Sequence, residues 1–373
     1  MTLRNMYHSP KELKKILESI SIDKDVSLLK VLKRMDELDL KLLIVTEKKS
    51  FKSVISIGDI QRAIIKGKSI DTAVKEILRE EITVCYEDES IERVKSEMVF
   101  YRSEFMPILN RKGEIVNVIF WNDLFGENKM AHLSGLNVPV VIMAGGEGVR
   151  LKPLTNIIPK PLVPLGDKSI VEHIIDSFVK RGAEKFYLLI NYKAAMIENY
   201  FEELGIKNYK AEFIREDKPL GTAGSLHLMK GKISETFFVS NCDILVDQDY
   251  HEVLSYHRQN RNELTIVGAL KHLSIPYGTL EVIKGGLLKE LKEKPDITLM
   301  VNSGMYILEP HLIDEIPEDC FFHITDLIEK IKNRKGRIGV FPVSEMSWLD
   351  IGDWNEFKRT QEIFSKKQFG RFY

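Results

Sequence analysis

Much of the usual repertoire is missing from this 373-residue sequence, and each absence closes a class of function. Cysteine is scarce. Cys85, Cys242 and Cys320 match no zinc spacing, and so sparse and odd a set suits a reducing compartment, with a cytoplasmic address expected. No apolar run reaches the roughly 20 residues that cross a bilayer. The opening MTLRNMYHSPKELKK lacks the continuous apolar region of a signal peptide. Neither sign of charge dominates, since 54 Lys and Arg stand against 55 Asp and Glu, a formal net charge of -1. That balance gives no sign of a nucleic-acid or membrane partner, and any anionic ligand must be held by local design. No hexapeptide repeat of the left-handed β-helix kind occurs. What is present, 44% hydrophobic and 29% charged residues, suits a soluble globular protein of two or three domains with a substantial core.

The rest of the chain is organised around Val138 to Pro164, VPVVIMAGGEGVRLKPLTNIIPKPLVP. Its apolar start reads as a buried strand. After Ala144 the strand breaks into Gly145, Gly146 and Gly148, followed by Arg150, Lys152 and Lys160. Glycines permit close backbone approach, so successive amides can face an anion, and the basic side chains can close over it. This pattern points to a polyphosphate site. It is not the dinucleotide fingerprint, because the third glycine is replaced by Leu151. Nor is there a P-loop: Gly67-Lys68-Ser69 supplies its end, but Arg62 stands where the first glycine is needed. An ordinary strand-to-helix turn remains the plain alternative for the glycines taken alone.

The order G-G-x-G-x-R-L, P-L-T, P-K-P-L closely resembles the signature of the sugar-1-phosphate nucleotidylyltransferases; it is carried by Gly145, Gly146, Gly148, Arg150, Leu151, Pro153, Leu154, Thr155, Pro159, Lys160 and Pro161. Strands alternate with helices from Val138 onward, which predicts an α/β fold with a mostly parallel, Rossmann-like sheet and helices on both faces. Ligands of such sheets bind beyond the carboxyl ends of the strands. Three ends converge there: Met143-Ala144, Asn191-Tyr192 and Asn241-Cys242-Asp243. Cys242 reads either as a nucleophile or as a small buried thiol, and no histidine is close in sequence to activate it.

The resemblance extends along the chain. Leu220, Gly221, Thr222, Ala223 and Gly224 are similar to the family's L-G-T-A-G base-recognition loop, although Thr222 can equally be a helix cap. Asp243 matches the family's first metal-binding aspartate, and Trp348-Leu349-Asp350-Ile351-Gly352 resembles its W-x-D-x-G segment, making Asp350 the implied second ligand of Mg²⁺. Asp353 is the competitor and can instead cap the helix beginning at Trp354, while Asp247 and Asp249 read as exposed or capping. Glu293-Lys294-Pro295 and, after a hinge, Asn302-Ser303-Gly304 resemble the segments that grip the sugar hydroxyls and phosphate; Asn191 is assigned to the same side. A helix over 327–332 is expected to be capped near Thr325.

Before residue 130 the order helix, strand, turn, strand, helix occurs twice with a period of about 60 residues. The duplication resembles a tandem pair of CBS modules, at approximately 15–70 and 78–128 within a domain 1–130. Ser56-Ile57-Gly58-Asp59 looks like that family's ribose motif, and Asp123 matches in the second copy, where Phe120 replaces the hydroxyl. Asp59 either caps the following helix or also accepts bonds from a ribose. A regulatory nucleotide at Ser56, Asp59 and Asp123, and dimerisation, are the implied roles. Residues 127–137 read as a linker, with the second domain at 137–373.

The resemblance implies transfer of a nucleotidyl group from a nucleoside triphosphate to a sugar 1-phosphate, with Arg150 and Lys160 as the catalytic cations. It is nearest the mannose-1-phosphate guanylyltransferase branch, which implies GTP and a hexose or amino-hexose 1-phosphate. The alternatives are a uridylyl- or thymidylyltransferase acting on glucose 1-phosphate, and a catalytically silent nucleotide-sugar-binding regulatory protein. A homo-oligomer is expected.

Overall fold

A computed structural model describes residues 6–79, 82, 84–125, 135–205 and 208–365. The chain divides into two compact units with the boundary between residues 131 and 132. Most of the expected linker, and the tail from residue 366, lie outside the described residues.

The first unit repeats one pattern. Strands Ser21–Asp23 and Leu42–Glu47 pair parallel, and the second pairs antiparallel with Ser50–Ser56. The same arrangement recurs in Cys85–Tyr86, Phe105–Leu109 and Ile115–Phe120. Ser27 and Ser90 accept from backbone amides as N-caps of helices Leu28–Leu38 and Ile91–Tyr101, each of which lies between the first two strands of its copy. Asp59 is not itself the cap. Ser56 caps helix Ile57–Ile65, and Asp59 returns the bond as the third residue of a capping box. In the second copy Asp123 makes the same return bond to the Phe120 amide, at 2.8 Å, without a hydroxyl to reciprocate.

The second unit is built on a seven-stranded sheet. Its strands, in chain order, are β1 (Val140–Met143), β2 (Lys185–Ile190), β3 (Lys210–Arg215), β4 (Phe237–Asn241), β5 (Leu264–Ser274), β6 (Asp296–Leu308) and β7 (Ile338–Val343), arranged β3-β2-β1-β4-β6-β5-β7. β6 runs antiparallel to both its neighbours, and every other pairing is parallel. The sheet is therefore mixed and mostly parallel. Strict strand–helix alternation stops after β5, where the hairpin Thr279–Val282 with Leu288–Lys292 returns the chain directly into β6. β6 is continuous from Asp296 to Leu308, so the hinge expected before Val301 is absent.

Alternation along the strands explains why both faces are covered. On one face Val141, Tyr187, Leu189, Phe237 and Val239 pack with Leu226, Leu312, Leu327 and Ile331 from helical segments. On the other, Phe178 of helix Ile170–Val179 meets Phe186 and Phe238 edge-on, and Tyr250 of helix Tyr250–Gln259 packs on Phe238. Because Met143 pairs with Leu189 and Asn241, and Ile190 with Arg215, the carboxyl ends of β1 to β4 finish along one edge. No described helix is long and apolar enough to cross a membrane.

Candidate active site

A cavity of about 330 Å³ opens at that edge, lined among others by Ala144, Gly145, Gly146, Gly148, Arg150 and Lys160, by Glu216 and Leu220 to Thr222, and by Asn241, Asp243, Phe321 and Gly352. The loop after β1 does not enter a long helix. It turns through three short 3₁₀ segments, Val149–Leu151, Leu154–Asn156 and Lys160–Leu162. Gly148 makes this path available: its φ is +65°, and an added Cβ would lie 2.9 Å from Thr155 Cγ2 and 3.0 Å from Lys160 Cβ. Thr155 Oγ1 donates to the Gly148 carbonyl at 2.9 Å, and the Lys193 ammonium donates to the carbonyls of Asn156 and Ile157. These bonds hold the loop folded back, which aims Lys160 inward.

Lys160 is only 9% exposed, and its ammonium donates to Asp243 Oδ2 at 2.7 Å. Arg150 Nη2 lies 3.8 Å from the same oxygen, with most of its side chain open to solvent. Asp350 reaches this group from more than a hundred residues away because Ile244–Val246 pairs antiparallel with Trp348–Asp350, and the Ile351 amide donates to the Asp243 carbonyl at 2.7 Å. Burial, reinforced by the Asp243 charge, pushes the Asp350 carboxyl above its ordinary range. Asp353 instead accepts from the amides of Asn355 and Glu356, the capping role open to it from sequence.

Two carboxylates on paired strands are hard oxygen donors of the kind Mg²⁺ takes, and a cation, the Lys160 ammonium, already neutralises one of them. The donor set fits a divalent ion. Asp249 caps helix Tyr250–Gln259, whereas Asp247 is buried against Arg181 rather than exposed. Cys242 is buried, and burial pushes its thiol far up, which rules against a nucleophile.

The other expected residues divide. Leu220, Gly221 and Thr222 line the cavity, while Gly224 lies behind them, where its Cβ would be 2.6 Å from the Cys320 carbonyl. Asn191 does not line the cavity; its amide donates to the Glu216 carbonyl at 2.7 Å and fixes the end of β3. Asn302 is on β6 beside Gly304, whose Cβ position lies 2.7 Å from the Asn241 amide nitrogen. Glu293 and Lys294 are exposed at the root of the hairpin and are not brought to the cavity. In the first unit, Ser56 and Asp59 are already engaged: Arg79 donates to both, and Arg62 donates to Asp59 at 2.6 Å. His323, not Thr325, begins helix Ile324–Asn333, its amide donating to Asp326 at 2.7 Å.

Two lining residues were not singled out from sequence. Glu216 directly follows β3, so the strand-end rule that selected Asp243 could have found it. Its carboxyl is pushed up by burial. Phe321 carried no such signal, because it meets the Leu220–Gly224 loop only through the tertiary fold.

A family model described as nucleotidyl transferase matches residues 139–367. "Mannose-1-phosphate guanylyltransferase catalytic subunit beta" of Xenopus tropicalis is 32% identical over 229 residues, 58% of this chain and 62% of that protein. The subunit of the same name from Drosophila pseudoobscura pseudoobscura is 34% identical over 191 residues, 49% of this chain and 51% of that protein. The chain thus spans less than two-thirds of these relatives' length. Among solved structures, HddC from Yersinia pseudotuberculosis is 28% identical with a TM-score of 0.49, covering 61% of this chain and 99% of that one.

Proposed function

The chain belongs to the nucleotidyl transferase family, and from that premise we propose that it transfers a guanylyl group from GTP to a hexose or amino-hexose 1-phosphate, releasing pyrophosphate. The observation that carries this reading is the meeting of Lys160, Arg150 and Asp243 within 3.8 Å at one part of a cavity whose other walls include Glu216 and the Leu220–Thr222 loop. Phosphates suit the cationic part and a base suits the loop.

In the reaction an oxygen of the sugar 1-phosphate forms a bond to the α-phosphorus, and the bond from that phosphorus to the bridging oxygen breaks. A phosphate monoester, with a second pKa of about 6, is already largely ionised at neutral pH, so no dedicated base is needed. The barrier lies in bringing two anions together in line and holding the added charge. Lys160 and Arg150 are suited to that charge, and the amides of Gly145 to Gly148 can donate to phosphate oxygens. Mg²⁺ would be held by Asp243 and Asp350, and when bound would supply Lewis-acid polarisation of phosphate oxygens. Lys160, whose ammonium donates to Asp243 Oδ2, is placed to turn that ammonium toward a substrate phosphate.

Glu216 supports guanine. A carboxylate can accept from both N1–H and the N2 amino group, a donor pair that uracil and thymine lack. The relatives named for mannose-1-phosphate guanylyl transfer point the same way. The first unit we read as a tandem CBS pair, supported by its repeated order; a regulatory nucleotide at Ser56 and Asp59 would have to displace Arg79. A homo-oligomer is supported by the hairpin, whose Leu280, Val282, Leu288 and Leu291 are exposed and form cross-strand pairs. A cytoplasmic setting completes the proposal. The test is a panel of GTP, ATP, UTP and dTTP against mannose, glucosamine and glucose 1-phosphates, scored for pyrophosphate. Release with GTP above the others supports the reading, and release with none overturns it.

A further inference from the structure

We propose that Phe321 is the stacking wall of the base subsite and biases the cavity toward purine nucleotides; this deepens the nucleotide reading given above and rests on it. Phe321 is the only aromatic ring among the described lining residues of the cavity, and it is 65% exposed. Leaving so much apolar ring in water is unfavourable unless a ligand covers it. Its ring contact with His323 is edge-on, with centroids 4.8 Å apart and planes at 82°.

The backbone that carries the ring is fixed. The Phe322 amide donates to the Leu220 carbonyl at 2.9 Å, and the Phe322 carbonyl accepts from Ala223 at 3.0 Å and from Gly224 at 2.9 Å. Thr222 Oγ1 accepts from the Ile324 amide at 3.1 Å. The approach is so close that a Cβ on Gly221 would stand 2.7 Å from the Phe322 carbonyl oxygen. The backbone that bears the ring is therefore held beside the Leu220–Thr222 loop by groups that need not move when a ligand arrives, so binding has only the ring's own rotamer to order.

The chemistry of the walls is complementary. Glu216 offers acceptors to the edge of a base, and Phe321 offers a π-face that any base can stack on. A bicyclic purine has a larger, more polarisable π-surface than a single-ring pyrimidine and stacks more strongly on an aromatic ring. Base–aromatic stacking is lost on alanine substitution with a fall in affinity of roughly 5- to 100-fold. The base is remote from the reacting phosphorus, so the loss belongs in ground-state binding, raising KM with kcat retained.

The test is calorimetric binding of GTP, ATP, UTP and dTTP to the full chain and to Phe321→Ala and Phe321→Trp, with steady-state kinetics on the same proteins. The ring is exposed, so both variants are expected to keep the wild-type circular dichroism. The proposal predicts that Phe321→Ala weakens GTP and ATP by roughly 5- to 100-fold, changes UTP and dTTP less, and raises KM at near-constant kcat, with Phe321→Trp restoring affinity. Wild-type GTP affinity in Phe321→Ala, or an equal loss for purines and pyrimidines, would overturn it while leaving the transferase reading standing. A wild-type chain that binds none of the four would overturn both.

Discussion

The Lys160 ammonium and the Asp243 carboxylate are 2.7 Å apart, so the residue suited to neutralising phosphate charge occupies the carboxylate suited to a metal ion. At the proposed metal site, lysine and metal would compete for one carboxylate. Lys160→Ala is expected to bind Mn²⁺, measured by electron paramagnetic resonance without nucleotide, about tenfold more tightly than wild type, the factor corresponding to a 1.4 kcal/mol interaction. The same variant should lose turnover by about 10² or more, the scale of a missing transition-state contact. Unchanged metal affinity would mean that the ion pair does not guard the site.

Gly148 and Gly146 form a matched pair for testing the loop. At Gly148 the backbone is left-handed and an added Cβ meets Thr155 and Lys160, whereas at Gly146 nothing lies within 4 Å. Gly148→Ala should lower stability by about 1–2 kcal/mol through the left-handed strain and reduce activity by shifting Lys160. Gly146→Ala should unfold like wild type in a urea titration.

Two glutamates predict opposite responses of stability to pH. Glu263 accepts from Arg334 Nη1 at 3.0 Å, from His311 at 3.0 Å and from the Arg337 amide at 3.0 Å, and the Arg334 bond leads the causes that hold its carboxyl down at about 2. A depressed carboxyl stabilises the fold above its unfolded value and loses that contribution as pH falls through the folded one. Glu263→Gln should therefore lower unfolding free energy by roughly 2–3 kcal/mol at neutral pH, and the gap should close between about pH 4.5 and 2. Glu216 is the reverse case. Its raised carboxyl favours the fold at low pH and loses that contribution as pH rises through the folded value, so Glu216→Gln should stabilise the chain at pH 7. Urea unfolding of both variants from about pH 2 to about pH 7 checks the two signs, the Glu263 gap below about pH 4.5 and the Glu216 gap above it.

The same physics explains what could be read from residues alone. The glycine loop and Asp243 were legible because β1 and β4 are short apolar runs that stop at chemically distinctive residues, and parallel strands finish at a common edge. Asp350 was reached only through resemblance, since nothing local reveals the pairing of Ile244–Val246 with Trp348–Asp350. The antiparallel insertion of β6 was likewise hidden: its exposed first half and buried second half look like two segments joined by a hinge. Glu293 and Lys294 matched a motif, yet they sit just before the exposed first half of β6 rather than among the residues that line the cavity, a placement that motif matching does not measure. Asp59 was ambiguous because a capping box and a ribose site need the same carboxylate; in the fold Arg79 takes the position a ribose would contest.

The proposed reaction requires Asp243 and Asp350 to act together, with Lys160 beside them. The most direct measurement is pyrophosphate release from GTP and mannose 1-phosphate with Mg²⁺, comparing the wild-type chain with Asp243→Asn and Asp350→Asn. The account predicts that GDP-mannose and pyrophosphate form in equal amounts with the wild type and that each variant falls by about 10² or more while keeping its fold. Wild-type rates in either variant would contradict it.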